Sequence, residues 1–345
     1  MATTTLTIGN DQLSTTMHIL HNEWRDGQHK RVAFCDAQDA AHGKGSPSRT
    51  GGTRLLYSIG LNDHSSPTAL DTGFEKIDLS VSDVSVPAVY SWAAVTYPVV
   101  ISGEEERLNA GDAAVLDLAE TRVKSVQNKS ERDFNKQMLT GSVAKWTSWA
   151  TLNGVDNTGG YLEENAVAAQ TNSVGGISKT TYSDRVGWQN QIFDGQGSFN
   201  NNGLSGLYDI DVEVRALGGD PGKAAWIGSR SGEKNLKRST QASERYADGP
   251  GDAGLPTFVW NGVKVYTERD MPNAGSQSAT DPISFYRLEF DDIHVLWDDN
   301  GHFYMSDFET VSGEYDVRSC KILIRGQLIA KYLGRCGIAF DLEAF

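Results

Sequence analysis

The stretch Ser91–Glu120, SWAAVTYPVVISGEEERLNAGDAAVLDLAE, changes character twice within thirty residues. It begins rich in β-branched and aromatic residues, the composition of a pleated, half-buried strand. It then passes through the charged cluster GEEER and ends in a helix-forming run. Asp112, after Gly111, is suited to cap a helix N-terminus. Leu116, Ala119, Val123, Val126, Phe134 and Met138 recur at three- and four-residue steps, which predicts a helix over Asp112–Leu139 with Gly141 as its stop. Asp117, Thr121, Asn128, Arg132 and Asn135 fall on the opposite face, and Glu120 with Lys124 forms a favourable i,i+4 pair. The apolar stripe is narrow, so the helix is expected along a surface or a sheet.

Upstream, FEKIDLSVSDVSV alternates Ile77, Leu79 and Val81 with polar neighbours, the period of a half-buried strand. With AVYSWAAVTYPVVIS it reads as a long hairpin over residues 74–101, and Pro87 and Pro98 place it at an edge. Residues 36–73 are rich in Gly, Ser, Asp and Pro and read as an extended arm with little regular structure. Downstream, residues 141–203 read as loops and short elements. LSGLYDIDVEVRAL is expected as a helix stopped by Gly218 and Gly219. FVWNGVKVY is expected as a hairpin turning at Asn261–Gly262. The fold class is α+β with one long helix.

Composition bounds function. The chain has 345 residues and a net charge of −14, so its bulk surface repels nucleic acid and acidic membranes. Its three cysteines form no CxxC pair, which suits a reducing cytoplasm. The N-terminus shows no signal-peptide pattern, and no apolar run is long enough to span a bilayer. His18 and His21, with Glu23 nearby, lack the further ligands zinc needs, so no metal or other cofactor is expected. Lys44 is followed by Gly45 where a phosphate loop needs Ser or Thr. The carboxylates of DIDVE and FDDIHVLWDDNGH, with Trp92, Trp146, Trp149, Trp188 and Trp260, keep open a carbohydrate-active enzyme. Tryptophans are more often core or interface residues, and Asp–Asn runs more often turns.

The order of segments carries more information than any one of them. PAVYSWAAVTYPVVISGEEERLNAG (Pro87–Gly111), TNSVGGISKTTYSDRVGWQNQ (Thr171–Gln191), ALGGDPGKAAWIGSRSGEKNLKRS (Ala216–Ser239), FVWNGVKVYTERDMP with FYRLEFDDIHVL, and KILIRGQLIAKYLGRCGIAFDL follow one another. Over residues 74–345 this order resembles the HK97-like major capsid proteins of tailed bacteriophages. The resemblance implies an N-terminal arm (1–73), an E-loop (74–103), a peripheral-domain spine helix with its flank (104–160), an axial domain (161–312) and closing peripheral strands (313–345). It implies a non-enzymatic virion protein, assembled in the bacterial cytoplasm into hexamers and pentamers of an icosahedral shell around double-stranded DNA. The DNA would be touched weakly and without sequence preference.

Partners implied are copies of the chain itself, a separate scaffolding protein, a portal and, as a further option, a decoration protein, with no membrane. Tyr90, Trp92 and Tyr97 become expected anchors on a neighbouring subunit. Leu116, Ala119, Val123, Val126 and Phe134 become the packing face of the spine helix. Crosslinks between subunits are not expected, because Lys76 lies in the hairpin without matching partners. An encapsulin-type compartment is the alternative within the fold. A tail or baseplate protein is a third possibility, forming rings or tubes in place of closed shells.

Overall fold

A computed structural model describes residues 33–42, 47–62, 71, 73, 76, 83–108, 118–153, 160–164, 169–182, 187–196, 198–240, 258–271, 283–310 and 316–342. Among them the chain runs through α1 (Ala33–His42), β1 (Ser48–Arg49), β2 (Arg54–Gly60), β3 (Ser85–Ser91), β4 (Ala93–Ser102), α2 (Gly103–Leu108) and α3 (Leu118–Thr140). It continues through β5 (Ser173–Val174), β6 (Ile177–Ser178), β7 (Gln191–Asp194), α4 (Phe199–Ala216), β8 (Ala224–Ser229), α5 (Arg230–Thr240), β9 (Phe258–Trp260) and β10 (Val263–Glu268). β11 (Ile283–Glu289), β12 (Ile293–Asp298), β13 (Tyr304–Met305), β14 (Glu309–Thr310), β15 (Val317–Ala330) and β16 (Gly337–Phe340) complete it. Helices and strands mix along the chain, so the α+β class holds.

The chain divides into two compact units. One contains Ala94–Phe134 and Asn300–Arg325. There β13 pairs antiparallel with the first half of β15 at Tyr304↔Leu323, and β14 pairs with it at Glu309↔Ser319. Phe134 is fully buried, with its ring edge-on to Phe303 at 6.1 Å between centroids.

The other unit contains Val32–Ala93, Asn135–Asp299 and Gly326–Phe345. Its described strands include a mixed sheet in the order β7-β16-β11-β8-β10-β9. β8 and β10 are parallel, as are β7 and β16, and β11 runs against both of its neighbours. Every residue of β8, β11 and β16 is buried. α4 covers this sheet with Phe199, Leu207, Ile210 and Val214, on the spacing of one helical face. Trp226, Trp260, Val265 and Phe285 meet them. Gly206 is required for that approach, because a Cβ there would lie 2.0 Å from the Phe193 ring.

Local signals act where expected. α3 ends at Thr140, Gly141 sits at φ +66°, and its N–H bonds the Gln137 carbonyl at 2.9 Å. α4 ends with Gly218 at φ +83°, and the Gly219 N–H bonds the Val214 carbonyl at 2.9 Å. Asn261 and Gly262, at φ +50° and +82°, make the tight turn between β9 and β10.

Two expectations are corrected. Residues 36–73 are not an arm with little regular structure, since they contain most of α1 and all of β2. β2 pairs with β3 from Arg54↔Ser91 to Gly60↔Ser85, so the strand partner of β3 lies upstream of residue 74. Ile77, Leu79 and Val81 lie outside the described residues. α1 is stabilised by contacts distant in sequence. Its first N–H groups, on Ala33 and Phe34, bond the Glu268 and Asn135 side chains, and Gln38 exchanges two hydrogen bonds with the Val295 backbone. The second correction concerns Asn135, placed on the open face of the long helix by its polarity. It is buried, as are Ser130 and Gln137, and it donates to Glu268 Oε2 at 2.8 Å.

Leu207 has no exposed surface and packs at the centre of the α4–sheet core. Leu207→Ala should lower unfolding free energy by about 2–5 kcal/mol. Urea denaturation measures it, with the slope of the transition unchanged.

Candidate functional site

The described residues offer several exposed apolar surfaces, each held in place by contacts behind it. The β2–β3 arm is the first. Along β2, Leu55 and Ile59 are buried while Leu56 stands 60% exposed; along β3, Ala88 and Tyr90 are buried. The arm is fixed at its root. The Tyr90 hydroxyl donates to the Ala330 carbonyl at 2.6 Å, and the Val89 N–H donates to the Gly175 carbonyl at 2.8 Å. Gly175, at φ +58°, would bring a Cβ within 2.9 Å of the Tyr90 ring. Burial pushes the Tyr90 hydroxyl well above its usual pKa.

The three expected anchors therefore separate. Tyr90 is only 4% exposed and has no surface left for a neighbour; it secures the arm to its own subunit. Trp92 and Tyr97 are half-buried, and the Tyr97 hydroxyl donates to Asp133 Oδ2 at 2.8 Å. Of the expected helix face, Leu116 lies outside the described residues. Ala119 is within α3, Val123 and Val126 are half-buried, and Phe134 is fully buried.

The charged cluster after β4 is a reciprocal helix cap. The Ser102 N–H donates to Glu105 Oε2 at 3.1 Å, and the Glu105 N–H donates to Ser102 Oγ at 3.2 Å. Arg122, on α3, grips Glu105 with two nitrogens at 2.9 and 2.8 Å and donates to the Val100 carbonyl at 2.9 Å. The Arg122 hydrogen bonds hold the Glu105 carboxyl down to about 2. The cap, the preceding strand and the long helix are thereby fixed to one another. At the outer side Arg107 meets Asp316 at 2.6 Å, with both side chains mostly exposed.

Three of the carboxylates that kept acid–base chemistry open, Asp211, Asp291 and Asp292, are engaged in ion pairs. Asp211 pairs with Arg215 at 2.9 Å and faces Arg287 at 3.5 Å; Asp291 pairs with Lys223, and Asp292 with Arg335. Glu289, 1% exposed, sits beside Arg287, and its burial raises its pKa to about 7. Trp146, Trp149, Trp188 and Trp260 are buried and belong to the core. Among the described residues no cluster of three or more His, Cys, Asp or Glu is placed to hold a metal, and no helix is long and apolar enough to cross a membrane. His18, His21 and Glu23 lie outside the described residues.

Exposed apolar side chains missed in the sequence mark other surfaces. Tyr208 and Val212, one turn apart on α4, are 46% and 59% exposed, and Val259 on β9 is 49% exposed. In the other unit Tyr304, Met305 and Phe308 are exposed. The sequence signal was an apolar residue breaking the expected alternation, as Leu56 does beside buried Leu55.

No family model and no curated protein matches the chain. Solved structures do. The capsid asymmetric unit of cyanophage A-1(L) is similar at 15% identity and TM-score 0.63, over 96% of this chain and 99% of that one. The capsid of a native GTA particle is similar at 14% identity and TM-score 0.58, over 96% and 99%. The holo encapsulin complex of Synechococcus elongatus is similar at 11% identity and TM-score 0.55, over 94% of each chain. The chain has the HK97-like fold.

Two carboxylates give opposite pH signatures. The Glu105 pKa is depressed from 4.5, so its contribution is complete above pH 4.5 and is lost as pH falls through about 2. Glu105→Gln should cost about 1–2 kcal/mol at neutral pH and abolish that acid-side loss in urea titrations. The Glu289 pKa is raised, so the folded state loses stability as pH rises from 4.5 to about 7. Glu289→Gln should remove that slope.

Proposed function

We propose that this protein is the major capsid subunit of a tailed bacteriophage, assembling through hexamers and pentamers into an icosahedral shell around double-stranded DNA. The observation that carries the reading is the extent of the fold match: it covers 96% of this chain and 99% of the cyanophage capsid chain. Exposed apolar residues on the arm, α4 and β13 suit repeated contacts between copies, where many modest interfaces sum through valency. The subunit is structural and non-enzymatic in this reading. It is assembled in the host cytoplasm with a separate scaffolding protein and a portal, and resides in the virion. The acidic surface suits a container whose DNA must slide during filling and release.

Within this reading the E-loop contains the paired strands β2 and β3. β4, α2 and α3 with the β13–β15 strands form the peripheral domain, and the sheet bearing α4 and α5 forms the axial domain. Leu56 takes over from Tyr90 as the arm's contact with a neighbour, joined by Trp92 and Tyr97. Val123, Val126 and Phe134 form the packing face of the spine helix, α3. The encapsulin likeness favours a second reading, a compartment holding protein cargo.

Electron microscopy of the purified protein, with sedimentation beside it, tests the proposal. Closed shells or capsomer rings are expected. Leu56→Asp should abolish shells while circular dichroism and melting stay those of the wild type. Protein that remains monomeric with its scaffolding protein supplied, and that binds or cleaves glycans, would sink the reading. Shells purified from the native host that carry one protein cargo and no DNA would favour the compartment.

A further inference from the structure

Residues 160–164, 169–182 and 188–191 are held together by a buried polar knot. Lys179 and Asn190 have no exposed surface and Glu163 is 1% exposed. Lys179 Nζ donates to the Tyr161 carbonyl at 2.8 Å and to Asn190 Oδ1 at 3.0 Å, and lies 3.3 Å from Glu163 Oε1. The orientation of the Asn190 amide is fixed by its neighbours. The Glu163 N–H donates to Oδ1 at 2.9 Å, while Nδ2 donates to the Glu163 and Gln191 carbonyls at 2.9 and 3.3 Å. The Glu163 carboxylate is aimed in turn by the N–H groups of Thr171 and Asn172, at 2.9 and 2.8 Å. A primary amine thus faces an amide carbonyl, with a carboxylate against the amine and water excluded.

We infer that Lys179 and Asn190 become joined by an isopeptide bond within one subunit, with Glu163 relaying the protons. Burial lowers the Lys179 amine to a pKa of about 8, against the opposing pull of Glu163, so a neutral, nucleophilic amine is accessible near pH 8. Glu163 takes a proton from Nζ, and the freed lone pair attacks Asn190 Cγ. Charge developing on Oδ1 meets the Glu163 backbone N–H, already placed at 2.9 Å. Glu163 passes this proton to Nδ2, the Cγ–Nδ2 bond breaks, and ammonia leaves; the second Nζ proton, taken off by Glu163 as the amide forms, goes to the ammonia to give ammonium. One lysine ammonium and one carboxamide give one secondary amide and one ammonium ion. No oxidation or reduction occurs, and no co-reactant is needed. Fixing both groups in contact supplies the high effective concentration that amide exchange lacks in solution. This bond lies inside one chain, unlike the crosslinks between subunits considered from the sequence, and it does not depend on the capsid reading.

The test is the intact mass of the folded wild-type protein after incubation at pH 8. It is expected to be lighter by one ammonia. Trypsin should no longer cut after Lys179, and tandem mass spectrometry should find a branched peptide joining the segments that carry Lys179 and Asn190. Lys179→Met and Glu163→Gln should each restore the full mass, the second with little change of shape. Full mass in the folded wild type overturns the inference. So does an ammonia loss confined to a succinimide at Asn190, with Lys179 still cleaved.

Discussion

Buried backbone groups must find hydrogen-bond partners, and a chain with this many connecting segments cannot supply them all from helices and ladders. Side chains reaching across the sequence do so here. Gln327 is the plainest case: its amide donates to the carbonyls of Ser91 and Ser148 at 2.9 and 3.2 Å and accepts from the Ala150 N–H at 2.9 Å. Glu268 and Asn135 do the same for the first N–H groups of α1, and Gln38 of α1 does it for the Val295 backbone. Each such group is costly to orphan, because removing one partner leaves a buried polar atom unsatisfied. The loops are therefore specified by a small number of amides and carboxylates as much as by apolar packing.

That arrangement explains which parts of the fold were legible. Turns and stops at Gly141, Gly218 and Asn261–Gly262 are local events, written in residues that tolerate positive φ. β8, β11 and α4 announce themselves through apolar content or spacing. α1 and β2 do not. In AFCDAQDAAH the buried positions are two alanines, a phenylalanine and a glutamine, and the glutamine's role depends on a backbone more than two hundred residues away. RLLYSIG buries Leu55 and Ile59 but not Leu56 between them, so its apolar run hides the alternation that its burial follows. Asn135 was misplaced because polarity was taken as a mark of the surface.

The candidate surfaces were less legible still. Aromatic content pointed to Tyr90 as a contact for another molecule, yet a tyrosine whose hydroxyl finds a carbonyl inside its own fold is a core residue with one polar end. The exposed leucine of the arm carries no such chemical marker. The charged cluster before the long helix was legible as a boundary; its closure by Arg122, distant along the chain, was not. The overall order of segments, by contrast, was enough to identify the fold, because topology outlasts the individual side chains.

The root of the β2–β3 arm has a mechanical meaning. Tyr90, clasped by the Ala330 carbonyl and seated over Gly175, makes a fulcrum, and the strands beyond it make a lever. The arm's root rests on three hydrogen bonds: Tyr90 on the Ala330 carbonyl, Val89 on the Gly175 carbonyl and Gln327 of β15 on the Ser91 carbonyl. Where the arm meets the sheet, its direction is therefore set by a few hydrogen bonds at one end of β3 and not along its length.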